Sequence, residues 1–394
     1  MEKLRIVVGG YIGSYCTSGV TWDYIQYPLG LHLMGHDVYY IEDTLGYYCH
    51  PNEPEYSYDD VTPIVKYFNE TMKYFGLEER WAYRDANTGN CYGISLDKLK
   101  EVCKTADVFI NVSHSTYMRE EYLKIPKRVL IDSDPMFTQI QRAEELQFSE
   151  SLLKDQFSAF NHLFSFGENI NGIESRIPKY DLNWKTTRQP ICLKYWCNSG
   201  IKYARKSYST VMNWSERKNI LYNNEGWGQK NVEFEKVLEV PTLFPKATFD
   251  LVLSCNPALK QKSEFQKILD ANWNVLEPLQ TIKEIDDYKG FIERSIGEFS
   301  VAKHSYVKSN SGWFSCRSAC YLAAGRPVVV QETKWSNFIP SGNGAIAFTN
   351  IDNAIVALEE VYSNWNKHSN AATELAYEYF DSNKVLTQLI ESLN

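Results

Sequence analysis

No stretch of eighteen consecutive apolar residues occurs in the chain, which excludes a helical membrane span. No Cys-x-x-Cys pair occurs among its nine cysteines. An odd, scattered set argues for reduced thiols and against a disulfide framework or a zinc site. Basic charge is not in excess, because 41 Lys and Arg face 49 Asp and Glu for a net charge of −8. A general nucleic-acid binder needs a basic face to neutralise phosphates. Low-complexity tracts and short repeats are absent too. The opening MEKLRIVVGG enters a strand within a few residues, without the layout of a signal peptide. The expectation is a cytoplasmic protein with no membrane span and no resident metal or cofactor; its oligomeric state is left open.

What is present is a strand–helix rhythm. Short apolar runs at 5–8, 37–41, 108–112, 129–132 and 162–166 alternate with longer helical patterns, and the rhythm restarts with runs at 208–212, 251–254, 299–302, 327–331 and 345–348. Between the first two runs lies TWDYIQYPLGLHLMGH, a helix carrying Pro28 and closed by Gly35. Helical patterns follow in the second half at 232–238, 262–271, 286–295, 315–324 and 353–363, with a last stretch broken near 381–383. The polar, aperiodic 183–206 reads as a connection. This is an α/β chain with two parallel-sheet domains, about 1–190 and 200–370, and a terminal helix at 371–394. Ligand groups are expected where strands end, in a cleft between the two sheets.

The first strand runs into a glycine turn, LRIVVGGYIGS, with Gly9, Gly10 and Gly13. In a dinucleotide fold such glycines let a pyrophosphate approach a helix N-terminus, and an acid about 20 positions on holds the ribose. Here Glu42, closing the second strand, stands 33 positions after Gly9. The tyrosine–lysine pair, four positions apart, of short-chain nicotinamide enzymes is missing among 27 tyrosines. The turn is therefore expected to approach a sugar-phosphate rather than to bind NAD.

The strongest signal is GEFSVAKHSYVKSNSGWFSCRSACYLAAGRPVVV at 297–330. It reads as strand, polar loop, tight Ser311-Gly312 turn, helix and strand. Ser315 is placed to cap the helix, and Arg317 and Ser318 lie in its first turn. Free N–H groups, the helix dipole and a guanidinium then make a diphosphate site over Ser311, Gly312, Trp313, Phe314, Ser315, Arg317 and Ser318. This segment resembles the donor half of GT-B glycosyltransferases, being similar to their "EGFG…LEAMAxGxPVV". LMGHDVYYIED resembles their "GHEVxxL" opening, and ELAYEYFDSNKVLTQLIESL their terminal helix. TVMNW, YNNEGWGQK and GEFSVAKHSY together resemble a bacterial and phage group of uncharacterised glycosyltransferase-like proteins.

The resemblance implies two Rossmann-like domains facing a cleft, with the last helix crossing back to the first. It also implies sugar transfer from a nucleotide-diphosphate donor, UDP-sugar first, to an acceptor hydroxyl without a metal. Lys230 would meet the donor phosphates, with Asn213 and Lys303 beside the nucleotide. The sequence departs from the family in one respect. Two glutamates eight residues apart are replaced near Ser311 or Gly312 and at Cys320, leaving Glu332 to supply a carboxylate. On the acceptor side, Asp23, His114 and Asp132 are the candidate bases. Asp132-Ser133-Asp134 has metal-pair spacing but also reads as a turn. The rival readings are a nucleotide-sugar epimerase, a non-catalytic nucleotide or sugar binder, and transfer to a hydroxymethylated pyrimidine in DNA. The last would use Lys185, Arg188, Lys194, Lys202, Arg205 and Lys206.

Overall fold

A computed structural model of the chain describes residues 2–44, 48–50, 53–57, 60–140, 157–196, 206–215, 219–255 and 257–393. It forms two compact units. The first comprises Met1–Phe166, Pro178–Cys192 and Ser382–Asn394; the second comprises Gly167–Ile177 and Leu193–Asp381. The chain thus interleaves the units, with Gly167–Ile177 in the second and Pro178–Cys192 and Ser382–Asn394 in the first.

The strands of the first unit are β1 (Arg5–Gly9), β2 (Asp37–Glu42), β3 (Tyr48–His50), β4 (Glu53–Ser57), β5 (Trp81–Arg84), β6 (Cys91–Gly93), β7 (Val108–Val112), β8 (Lys127–Asp132), β9 (His162–Ser165) and β10 (Trp184–Thr186). Eight of them form one sheet in the order β10-β9-β8-β7-β1-β2-β5-β6, and β3 pairs with β4 as a separate hairpin. The eight-stranded sheet is parallel except for the β5–β6 edge. The VFINV of β7 is buried along its length, as a parallel strand covered on both faces requires. Strand order reverses between β1 and β7, which makes the C-terminal ends of those two strands the topological switch point.

The first helix, Ser18–Leu33, packs on the last, Ser382–Glu391, because Gly30 lets them approach. A Cβ there would lie 2.6 Å from Leu386 Cδ1 and 3.0 Å from Ser382 Cβ. The Ser382 amide also donates to the Ile191 carbonyl at 2.9 Å.

The second unit holds β11 (Ser207–Asn213), β12 (Ile220–Tyr222), β13 (Glu225–Trp227), β14 (Thr248–Ser254), β15 (Asn274–Leu276), β16 (Gly297–Ser300), β17 (Val328–Gln331) and β18 (Ala345–Phe348). Its main sheet runs β15-β14-β11-β16-β17-β18, all parallel, the strand order of a doubly wound fold. Its switch point is at the ends of β11 and β16. The core is aromatic: Phe299 stacks on Phe348 with centroids 5.3 Å apart and lies 6.1 Å from Trp273 and 6.0 Å from Phe249. Among the described residues no helix is long and apolar enough to cross a membrane.

Candidate functional site

At the switch point of the first unit, the glycine turn already holds a carboxyl group of its own. The buried Glu42 carboxylate accepts from the Gly13 amide at 2.7 Å and from the Ser14 amide. The Ile12 amide donates to the Tyr40 hydroxyl at 3.2 Å. Burial, only partly offset by these donors, pushes the Glu42 carboxyl up to about 7. The glycines fit because side chains press on them: a Cβ on Gly9 would lie 2.1 Å from Thr116 Oγ1, and one on Gly10 would lie 2.3 Å from the Tyr40 hydroxyl oxygen. The expectation that Gly13 meets a donor phosphate is therefore corrected, since its amide is occupied from within. Gly9 and Gly10 are sites of close internal packing.

The loop after β7 is anchored from two sides. Asn111, buried, donates from Nδ2 to the Thr116 carbonyl at 2.9 Å and accepts at Oδ1 from the Thr116 amide at 3.1 Å. Further along, Arg119 clasps the Asp43 carboxylate at 2.6 and 2.8 Å, and the Tyr122 hydroxyl adds a bond of 2.9 Å. These anchors hold Ser113 and His114 at φ of 59° and 57°, a conformation rare for side chains other than glycine. The His114 ring lies between Phe157 and Phe160 at centroid distances of 5.5 and 5.6 Å. Burial pulls its pKa down to about 4. His114 is thus a neutral imidazole of low basicity, better suited to hydrogen-bonding a hydroxyl than to carrying off its proton.

Asp132 is corrected outright as a candidate base. It is buried, and its carboxylate accepts from Thr138 Oγ1 at 2.7 Å, Ser165 Oγ at 2.8 Å, Gln139 Nε2 at 2.9 Å and the Asp134 amide at 3.0 Å. It organises the turn after β8. Asp23 is half-buried in the second turn of its helix, not the first, which contains no acid. Its backbone carbonyl takes a hydrogen bond of 2.7 Å from Gln189 Nε2.

The second unit places a different junction at the ends of β16 and β17. The helix Cys316–Ala323 begins at Ser315, whose side chain makes no cap hydrogen bond, contrary to the capping expected of it. Among the described residues no acceptor meets the amides of Arg317 and Ser318. The Ser318 hydroxyl is fully buried with no partner. It lines a cavity of about 10 Å³ with Ser300, Trp313, Phe314, Ser315, Gln331 and Trp335, whose walls are more apolar than polar, room for one oxygen atom. A buried hydroxyl without a partner beside a small cavity at a helix start can receive a polar ligand atom.

The turn before this helix is built tightly. Gly312 has φ 76° and a Cβ there would sit 2.4 Å from the Asn169 nitrogen, while its amide donates to the Thr333 carbonyl at 2.6 Å. The Ser311 hydroxyl donates to the Tyr306 carbonyl and accepts from the Trp313 amide. Trp313 packs on Tyr306 at 4.6 Å, and Phe314 on Trp335 and Phe380 at 5.1 and 5.3 Å.

Arg317 does not reach an anion. Its Nε donates to Glu298 Oε1 at 2.6 Å and its Nη1 to the Val211 carbonyl at 2.6 Å. Burial works against its charge, but the Glu298 carboxylate outweighs burial and keeps it firmly protonated. Glu332 likewise belongs to a turn, accepting from the Lys334 amide and from the Ser336 hydroxyl. Lys230 is the first residue of the helix Lys230–Phe234 and is partly buried. Lys303 is buried at the start of His304–Lys308, its Nζ 5.5 Å from the Tyr306 ring centre. Asn213 is exposed at the end of β11.

Gln331 was missed by sequence reasoning. It lines the cavity, accepts from the Ala302 amide at 3.2 Å and donates to buried Glu233; its place as the last residue of a strand was the available signal. Of the basic group, Lys202 and Arg205 lie outside the described residues. Lys185 donates to the Ser392 carbonyl, and Lys194 lies 6.0 Å over the Tyr195 ring. Among the described residues no three His, Cys, Asp or Glu side chains are grouped to hold a metal.

No protein-family model and no curated relative matches the chain. Solved structures do. An alpha-glucosyltransferase in complex with UDP and a 13-mer DNA containing an HMU base is 11% identical over 100% of both chains, with a TM-score of 0.60. The chain has the GT-B glycosyltransferase fold. Sucrose-phosphate synthase from Thermosynechococcus elongatus, 12% identical over 99% of both chains, gives a TM-score of 0.56. A glycosyltransferase from Rickettsia africae, 10% identical over 100% of this chain and 98% of its own, gives 0.54. At such identities the likeness extends to the GT-B architecture of two Rossmann-like domains.

Proposed function

We propose that the protein is a glycosyltransferase that moves a sugar from a UDP-sugar to an acceptor hydroxyl without a metal ion. The observation that carries this reading is the cavity at the start of Cys316–Ala323, with the unpartnered Ser318 hydroxyl and the unclaimed amides of Arg317 and Ser318. A diphosphate oxygen placed there would meet the Ser318 hydroxyl donor and the positive end of the helix dipole, which together do part of the work of a cation on the leaving group. Lys230 and Lys303 supply positive charge nearby in the same unit.

In the transfer, the acceptor oxygen bonds to the anomeric carbon as the bond from that carbon to the phosphate oxygen breaks. The electron pair leaves with the nucleoside diphosphate, and the hydroxyl proton passes to a general base. His114, neutral and held by its loop, orients a sugar hydroxyl. The reading is tested by thermal shift with UDP, UDP-sugars, GDP-sugars and NAD. UDP or a UDP-sugar is expected to raise the melting temperature; stabilisation by NAD alone would overturn it. Donor turnover with no acceptor present would instead mark an epimerase, and binding with no turnover a receptor. The likeness to an enzyme solved with HMU-containing DNA makes a modified DNA base the second acceptor reading.

A further inference from the structure

The switch point of the first unit carries rings and carries almost no usable positive charge. Tyr11 meets Tyr15 and Tyr24 edge-on at centroid distances of 5.4 and 5.7 Å. Tyr15 is 41% exposed, and Tyr117, on the loop that crosses from β7 past Gly9 toward Asp43, is 46% exposed. The described turns leaving β1, β2, β5 and β7 hold two cations, Arg84 and Arg119, and both are engaged. Arg119 is bidentate on Asp43, and Arg84 lies 2.8 Å from Glu121 and 3.6 Å from Asp43.

From this pairing of a tyrosine cluster, with Tyr15 exposed and Tyr11 and Tyr24 half-buried, with described cations already held by carboxylates, we infer that the acceptor is an uncharged sugar ring, recognised by the Tyr11, Tyr15 and Tyr24 cluster, and not a base in DNA. A pyranose offers an apolar C–H face to an aromatic ring and hydroxyls to Asp23 and His114. A nucleic acid brings phosphates that need free Lys and Arg to release their counterions, and at this edge each cation is held by a carboxylate. The inference rests on the glycosyltransferase reading for the role of the sugar as acceptor; the binding itself is independent of it.

The test uses the full chain with UDP. Calorimetry and saturation-transfer NMR compare maltotriose, lactose, chitobiose and mannobiose with a short duplex containing hydroxymethyluracil. At least one saccharide is expected to bind with an affinity insensitive to salt. Tyr15→Ala is expected to weaken it about tenfold, Tyr15→Trp to restore it, and the affinity for UDP to stay unchanged in both. Salt-sensitive binding of the duplex with no saccharide bound would overturn the inference, as would saccharide affinity untouched by Tyr15→Ala. Loss of UDP binding in the unmodified protein, with saccharide binding intact, would remove the donor reading and leave this one standing.

Discussion

The two switch points use the same device, a strand running through a tight turn toward a helix, and fill it differently. In the first unit the turn's amides close on Glu42, and Tyr40 and Thr116 occupy the space beside the glycines. In the second, the unpartnered Ser318 hydroxyl at the start of Cys316–Ala323 borders a small empty space. A glycine turn therefore does not by itself announce a phosphate site. What decides is whether the protein supplies its own anion.

The comparison can be broken at several points. The largest effect is expected beneath the second junction, where Arg317→Met leaves Glu298 buried without its partner; stability should fall by about 3–5 kcal/mol in urea unfolding. An Arg317 that served an external phosphate would instead lose UDP affinity at little cost to stability.

At the first junction the effect is one of pH. The folded state raises the Glu42 pKa from 4.5 to about 7, so between those values the native protein holds a proton that the unfolded chain has released. The stability this site contributes is full below about pH 4.5 and is lost as pH rises through 7, a swing of about 3 kcal/mol. Glu42→Gln should flatten that slope, read by unfolding at pH 5 and pH 8. An unaltered slope would show that the carboxylate is ionised throughout.

His114 gives the opposite sign. Its pKa falls from 6.5 to about 4 on folding, so its contribution is present above about 6.5 and is lost as pH falls through 4. Its partial exposure limits the effect to roughly 1–2 kcal/mol. His114→Phe should remove that acid sensitivity. The smallest effect on stability is expected from Ser318→Val, which exchanges an unpartnered hydroxyl for a methyl group and adds a second methyl beside the cavity, within about 1 kcal/mol of the parent.

Much of the framework was legible in the chain. The apolar runs at 108–112 and 345–348 coincide with β7 and β18, and 37–41 falls one residue short of β2. Short strands at or next to a sheet edge escaped: the WAYR of β5, the CYG of β6 and the NVL of β15 have too few residues to show a period. The break near 381–383 was visible and falls between Trp365–Tyr379 and Ser382–Glu391. Site chemistry was less legible, for a physical reason. Glu42 was noticed only as an acid at an unsuitable spacing, because its contact with Gly13 and Ser14 is tertiary. Arg317 sat at the right place in sequence, but Glu298 and the Val211 carbonyl draw its guanidinium away, and Asp132 was claimed by Thr138, Gln139 and Ser165. Apart from Thr138 and Gln139, six and seven residues after Asp132, these are contacts between residues distant in sequence that no local pattern records.

The account's central claim is that the empty junction, and not the filled one, binds the donor. Calorimetric titration of UDP into the unmodified protein, Ser318→Val and Glu42→Gln tests it most directly. UDP should bind the unmodified protein and Glu42→Gln alike, with affinity for Ser318→Val reduced about tenfold or more, as loss of a charge-assisted donor predicts. Affinity that survives Ser318→Val and collapses in Glu42→Gln would contradict it.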